Sequence, residues 1–299
     1  MPKPPFFSVI IPTCNRPQTL AQCLRKLETQ TPQAKFHFET LVGDDSPDTR
    51  TRDLLAQHHP RVIWVKGPRK GPAANRNQAA RKAKGTWLIF IDDDTEPEPA
   101  FLESYHAMAQ TGTHKVLEGR LACPDKRNSP FYRMPENLQG GLFTSGNIAF
   151  EKETFEQLGG FDEDLVVMED LEIGHRIRTR GIPHTFCAGA SAHHRAQKFG
   201  LGHLLWWSFH HRWGILYDYK TQAKPLSMPL PAAILHTLAK HILLLMRTTW
   251  HLFSQHDPNT WKNRWFWQIW GWVSLPLTLP CLISSEPRFR RMAQSSQKV

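Results

Sequence analysis

Apolar and polar positions in the first two-thirds of the chain follow two alternating rhythms. Phe7 to Ile11, Phe38 to Val42, Val62 to Val65 and Trp87 to Ile91 are short runs of β-branched and aromatic residues, as expected of buried strands. Between them lie stretches with helical spacing. Thr19 to Thr29 carries Leu20, Leu24 and Leu27 on one face, Thr51 to His58 follows, and Pro72 to Ala83 is rich in alanine. This order predicts an α/β domain with a mainly parallel central sheet covered by helices. Farther along, Lys115 to Leu121, Asn147 to Phe150 and Thr185 to Ala188 are predicted strands and Glu169 to Arg180 a predicted helix. Arg127 to Gly141, with much Pro, Asn and Gly, is a predicted loop.

After residue 200 the pattern changes. Pro231 to Phe253 has an amphipathic helical rhythm, with Leu235, Leu238, Ile242 and Leu245 opposing His236, Lys240 and Arg247. Trp265 to Ile283 is a 19-residue run without a charge, flanked by Lys262 and Arg264 before it and by Arg288, Arg290 and Arg291 after it. Its length suits a membrane span. Pro276 and Pro280 break the helix, however, and basic flanks at both ends give no orientation. Three readings stay open: attachment in the headgroup region, a span, or a soluble packing surface.

Charge sharpens this division. Residues 201–299 hold 11 lysines and arginines against 3 acids, which is most of the net +10 of the 299-residue chain. Nine of the 11 tryptophans lie there too. The chain is therefore divided into a first domain at 1–200 and a C-terminal helical, Trp-rich basic extension at 201–299. The extension is expected to touch the membrane peripherally through 229–283, because basic and aromatic residues together attract anionic headgroups. Nucleic acid is not expected as a partner, since the basic residues sit among long apolar runs rather than along a polar stripe. The five cysteines are odd in number and lack C-x-x-C spacing, which fits a reducing compartment. No signal peptide is expected. The expected location is cytoplasmic, peripheral on the cytoplasmic face of a membrane.

The candidate chemistry gathers at the ends of the predicted strands, where open α/β sheets bind ligands. Ile10-Ile11-Pro12-Thr13-Cys14-Asn15-Arg16 closes the first strand in a polar turn, and Val42-Gly43-Asp44-Asp45-Ser46 closes the second. Lys70 to Asn77 opens a helix with cations near its N-terminus, as an anion site would. Asp92, Asp93 and Asp94 end the fourth strand. Three adjacent carboxylates form either a solvated acidic turn or a cation site. Asp92 and Asp94 project to the same side and carry the oxygen donors that Mg²⁺ or Mn²⁺ prefers, while Asp93 is expected to point away and tolerate change. Met168 to Arg176 brings a second acidic cluster to the start of a helix. It reads either as dipole capping or as a general base.

Taken in order, these motifs resemble the family 2 glycosyltransferases, with their GT-A fold. The resemblance covers about residues 6–195. It rests on the Pro-Thr-x-Asn-Arg turn, Asp44-Asp45-Ser46, Asn75-Arg76-Asn77, Asp92-x-Asp94, Thr144-Ser145-Gly146-Asn147, Gly159-Gly160-Phe161-Asp162, and Glu169-Asp170 followed by Glu172. The resemblance implies a metal-dependent, inverting transfer of a sugar from a nucleoside-diphosphate sugar to a hydroxyl acceptor, lipid-linked or part of a cell-envelope glycan. Pro12, Thr13, Asn15, Arg16, Asp44, Asp45, Arg76, Asp92 and Asp93 would bind the donor, with Asp44 or Asp45 reading the base. Asp94 and Asp92 would hold Mg²⁺ or Mn²⁺, with His193 or His194 as a third contact. Asp170 would be the catalytic base and Glu169 its neighbour or alternate. Gly146, Asn147, Arg212 and Trp213 would line the acceptor site. Processive members carry a Gln/Arg-x-x-Arg-Trp motif, but Phe209-His210-His211-Arg212-Trp213 lacks its first polar residue, so single addition is expected. A chain that keeps this fold as an inactive nucleotide-binding or scaffold protein is the alternative.

Overall fold

The structure is a computed structural model. It describes residues 4–30, 36–125, 132–133, 135–198 and six isolated helical positions beyond residue 200. It divides into two compact units, residues 1–125 with 134–195, and residues 126–133 with 196–299.

In the first unit, strands β1 (Phe7–Thr13), β2 (Phe38–Asp44), β3 (Ile63–Lys66) and β4 (Trp87–Ile91) alternate with helices α1 (Pro17–Glu28), α2 (Arg50–His58) and α3 (Pro72–Ala80). The chain continues through β5 (Thr95–Pro97), α4 (Phe101–Gln110) and β6 (Val116–Ala122). After β7 (Tyr132–Arg133), which belongs to the other unit, come β8 (Asn147–Glu151), α5 (Lys152–Leu158), α6 (Glu169–Thr179) and β9 (His184–His194). In the second unit β7 pairs antiparallel with β10 (Gln197–Lys198).

The main sheet has the order β3-β2-β1-β4-β8-β6-β9-β5. Its β3-β2-β1-β4 half is parallel, as the strand–helix rhythm predicts. The other half is mixed. β8 runs antiparallel between β4 and β6, and β5 runs antiparallel along β9. The sheet is thus mainly parallel, as expected, with four parallel pairings (β6–β9 among them) and three antiparallel ones where β8 and the short β5 reverse direction. The sequence reading also assigned no element to α4, α5 or β5. For α4 the signal was present, since Phe101, Leu102, Tyr105 and Ala109 recur on one buried face.

Each face of the sheet carries an apolar cluster. One side packs Leu20, Leu24 and Leu27 of α1 with Phe101 and Tyr105 of α4. The other packs Ala73 and Ala80 of α3 with Phe155, Phe161 and Ile173. β1 and β4 are buried on both faces in the middle of the sheet, which explains their uninterrupted apolar runs. Strand order reverses at β1, so the carboxyl ends of β1 and β4 open onto a crevice between diverging connections.

A bulge shapes the far half of the sheet. The β6–β9 register slips between Gly119 and Arg120, so that Gly119 pairs with Cys187 but Arg120 with Ser191. The Asn147 amide donates to the carbonyls of Arg120 and Ala190, each at 2.9 Å, and accepts from the Tyr105 hydroxyl at 2.7 Å. Carbonyls at the slip are thereby satisfied from a side chain. A Cβ on Gly119 would lie 2.3 Å from that amide, so glycine is required there. Asn147 is fully buried in this structural task. It does not face an acceptor, which corrects the expectation for this residue.

The expected acceptor residues Arg212 and Trp213, the amphipathic stretch 231–253 and the run 265–283 lie outside the described residues, apart from helical Ala239, Ile242, Leu243 and Met246. Among the described residues no helix is long and apolar enough to cross a membrane. Cys14, Cys23 and Cys187 are free thiols.

Candidate active site

Three chain segments bring carboxylates, an imidazole and guanidinium groups together at the ends of β1, β4 and β9. β4 delivers Asp92, Asp93 and Asp94 as its apolar run ends. The next residues form β5, which pairs with β9 so that Thr95 lies opposite His194 and Glu96 opposite His193. Side chains alternate along a strand, so only one of the two histidines can face the aspartates. It is His194, whose Nε2 lies 3.1 Å from Asp94 Oδ1 and 3.9 Å from Asp92 Oδ2. His193 turns outward and pairs with Glu98 at 2.7 Å. His194 therefore replaces His193 as the third candidate ligand.

Asp92, Asp94 and His194 present ligand atoms that all lie within 4.8 Å of one another. Nδ1 of His194 donates to the Arg195 carbonyl at 2.8 Å, which leaves Nε2 as the ligand nitrogen of the neutral ring. Burial alone would lower the pKa of His194, but the hydrogen bond to Asp94 and the charges of Asp94 and Asp92 raise it above the usual histidine value. Two carboxylates and an imidazole so close together fit a divalent cation of the Mg²⁺ or Mn²⁺ type. Gly146 lies against this group, since a Cβ there would approach Asp92 Oδ2 to 3.0 Å.

Asp93 departs from expectation. It is fully buried and accepts from the Thr13 hydroxyl at 2.6 Å. Arg16 spans it and its neighbour, with Nη2 2.6 Å from Asp93 Oδ1 and Nη1 3.0 Å from Asp94 Oδ2. Burial pushes the Asp93 carboxyl up to about 7 against the opposing pull of Arg16 and Thr13. Asp93 does stand outside the Asp92–Asp94–His194 group, but it ties β4 to the end of β1, so it is not a position free to vary.

Arg76 also differs from expectation. Its guanidinium is 4% exposed and turned inward, donating to Asp92 at 2.6 Å and to Glu169 at 2.8 Å. It joins the β4 carboxylates to the first turn of α6 and is not open to a phosphate. The two asparagines beside it fix the surrounding turns. Asn75 donates to the Gly43 carbonyl at 2.9 Å, and a Cβ on Gly43 would meet its oxygen at 2.5 Å. Asn77 accepts from the Phe161 amide at 2.9 Å and donates to the Phe161 carbonyl at 2.8 Å. The Gly-Gly-Phe-Asp motif is thus a turn held by α3.

At α6, Glu169 is buried and also accepts from Ser145 at 3.2 Å. Burial, reinforced by the charge of Asp170 and opposed by Arg76, pushes it up to about 7. Asp170 is partly exposed and accepts from the Leu171 amide at 2.8 Å. The more accessible carboxylate of the pair is therefore Asp170, while Glu169 is held by Arg76.

At the end of β2 the two aspartates separate. Asp44 is buried, accepting from the Ser46 amide at 2.9 Å and from the Trp64 indole at 3.0 Å. Asp45 is partly exposed, accepts from the Arg69 amide at 2.8 Å, and has its pKa raised by burial. Pro12 and Thr13 are buried, whereas Asn15 is exposed, with φ of 58° and its amide donating to Ser46 Oγ at 2.8 Å.

The sequence matches the family description Glycosyl transferase family 2 over residues 8–171, more than half of the 299 residues. The chain belongs to glycosyl transferase family 2. It is 28% identical over 225 residues to a validoxylamine A glucosyltransferase of Streptomyces hygroscopicus subsp. limoneus, covering 60% of this chain and 49% of that protein. The chain thus spans about half the length of this curated relative. Among solved structures it resembles the mannosyltransferase PcManGT of Pyrobaculum calidifontis in complex with GDP-Man and Mn²⁺. The TM-score is 0.60 and the identity 19%, over 93% of this chain and 88% of that one. It also resembles S. aureus TarS 1–349 in complex with UDP-GlcNAc, with a TM-score of 0.55 and 17% identity over 73% and 68% of the two chains. The fold is that of the GT-A glycosyltransferases, and the family 2 match spans the carboxylate group from β1 to Asp170.

For this family 2 chain, sequence reasoning missed the bridge from Arg76 to Glu169 and the anchoring of Asp93. It also missed Glu118, a buried β6 carboxylate that accepts from the Gly141 and Phe143 amides at 2.8 and 2.7 Å. Glu118 pins the loop ahead of Thr144. The one signal for it was a lone acid between the apolar Val116-Leu117 and the rest of a predicted strand.

Proposed function

We propose that this glycosyltransferase is metal-dependent and inverting, and that it adds one sugar from a nucleoside-diphosphate sugar to a hydroxyl acceptor. The observation that carries the reading is the Asp92–Asp94–His194 group joined through Arg76 to the first turn of α6, where Glu169 and Asp170 lie. That linkage supports a donor diphosphate and an acceptor base in one crevice.

In this reading Asp45, half-buried beside the Arg69 amide, receives an N–H of the donor base, and Asn15 borders the same opening. Asp92, Asp94 and His194 hold Mg²⁺ or Mn²⁺, which supplies Lewis-acid stabilisation of the departing diphosphate. Arg76 fixes the orientation of Asp92 and keeps Glu169 from rotating into the crevice. Asp170 takes the proton from the acceptor hydroxyl as its oxygen attacks the anomeric carbon from the face opposite the diphosphate, so configuration inverts. The acceptor is a lipid-linked or cell-envelope glycan. The chain works at the cytoplasmic face of a membrane, touching it through 229–283 in the basic, Trp-rich extension.

An Asp170→Asn variant tests the assignment. It should bind the donor as the parent does while kcat falls by about 10²- to 10⁴-fold, the usual reach of general-base catalysis. Turnover within a few-fold of the parent would place the base elsewhere. A screen of nucleotide sugars by thermal shift with Mn²⁺ identifies the donor, since a ligand bound only by the folded state raises the melting temperature.

A further inference from the structure

Arg16 and Arg76 both face the aspartate triplet, but they differ in freedom. Arg76 is 4% exposed and held on two sides by Asp92 and Glu169. Arg16 is 47% exposed, on the turn between β1 and α1, and its fork straddles Asp93 and Asp94. Its bond to Asp94 uses Oδ2 of a carboxylate whose Oδ1 faces His194, inside the candidate metal group. Asp93 is different. It lies outside that group, fully buried and fixed by the Thr13 hydroxyl.

The geometry points to Arg16 as a tethered cation that exchanges partners when the site fills: it neutralises Asp94 in the metal-free protein, yields that carboxylate to the metal, and then grips the donor's diphosphate. The inference rests on the metal-site reading above. Its physical basis is charge balance. Without a metal, the carboxylates face two guanidiniums and the His194 imidazole. A divalent cation between Asp92, Asp94 and His194 reverses that balance and repels the nearest movable positive charge. Arg76 has no room to leave, so Arg16 moves. Its bond to buried Asp93 acts as a pivot that keeps the guanidinium at the rim of the crevice. A phosphate arriving with the metal offers the planar, two-oxygen partner that a guanidinium binds best. Arg16 thus opposes metal binding and promotes diphosphate binding.

The two halves have opposite signs in an Arg16→Gln variant, which makes the test sharp. Calorimetric titration of the full chain with Mn²⁺ alone, at about pH 8 where carboxylates are ionised, should give a Kd about ten-fold lower for the variant than for the parent. Titration with UDP and with GDP at saturating Mn²⁺ should give, for the nucleotide the parent binds, a Kd about ten-fold higher in the variant. An Asp94→Asn variant, titrated with Mn²⁺, checks the metal site itself. If Mn²⁺ affinity depends on Asp94 but is unchanged or weakened in Arg16→Gln, the exchange is refuted while the metal site stands. If Asp94→Asn binds Mn²⁺ as the parent does, the metal-site reading fails and the exchange falls with it. A damaged fold would weaken both ligands, so tighter Mn²⁺ with weaker nucleotide is the result that upholds the proposal.

Discussion

Replacing Arg76 with methionine should destabilise the domain by an amount that grows with pH. Arg76 is buried between Asp92, 27% exposed, and Glu169, 8% exposed by side chain, at 2.6 and 2.8 Å. Removing the guanidinium strands two carboxylates, and breaking a buried ion pair from one side costs about 3–5 kcal/mol. Glu169 limits that cost by taking up a proton. Burial and the charge of Asp170 already lift it to about 7 with Arg76 opposing them, and without Arg76 it rises further. A carboxyl whose folded pKa lies above its unfolded value gives stability that is intact below the unfolded value and lost as pH rises through the folded one. Between about pH 6 and pH 8 the parent loses part of this contribution. The variant, with its higher folded pKa, loses more, by up to about 1.4 kcal/mol per pH unit. Urea denaturation at the two pH values should therefore show a penalty at least about 1 kcal/mol larger at the higher pH. Adding Glu169→Gln to the variant should remove most of that difference. A penalty that is constant with pH, or that survives Glu169→Gln undiminished, would refute the view that Arg76 acts by compensating Glu169.

The remaining predictions concern residues whose placement differs from the sequence reading. His194→Gln should weaken Mn²⁺ binding by about ten-fold or more, the scale expected for losing or disturbing a ligand, and His193→Gln by less than about two-fold; calorimetry with Mn²⁺ separates them. Asp93 is raised to about 7 from an ordinary carboxylate value, so its contribution to stability is lost as pH climbs toward that value. Melting of the metal-free protein between about pH 5 and pH 8 should accordingly be flatter in Asp93→Asn than in the parent, and an identical slope would contradict the burial of this carboxyl. Asn147→Ala leaves the Arg120 and Ala190 carbonyls and the Tyr105 hydroxyl without their partner, which should cost about 2–4 kcal/mol in denaturation. A loss below about 1 kcal/mol would mean that the bulge can rearrange.

What the sequence made legible and what it hid follow from one distinction. The parallel half of the sheet could be read because β1, β2 and β4 are buried on both faces, so their apolar runs carry their own signal. The ends of those runs then located the carboxylates at a sheet edge before any contact was known. Which atoms meet there was hidden, because that depends on register, and register is a property of two strands. Asp44 and Asp45 are adjacent, as are His193 and His194, and Glu169 and Asp170. In each pair one residue turns into the protein and one remains more exposed. Composition cannot choose between them, since a shift of one residue exchanges their faces. For the histidines the choice is made by β5, a three-residue strand with too little apolar length to be seen in sequence, pairing Thr95 with His194. It is also made by the slip at Gly119 and Arg120, which sets where the end of β9 lies along β6. The buried polar residues that stabilise the slip, Asn147 above all, resemble functional residues in sequence because both kinds are polar positions within apolar surroundings. The difference is whether every donor and acceptor is already satisfied within the protein. Asn147 has both ends of its amide engaged and Asp44 accepts on both oxygens, so each is held by partners within the protein. Arg16 is half-exposed on a carboxylate that the metal group also claims, and that shared claim is what makes it a candidate to move.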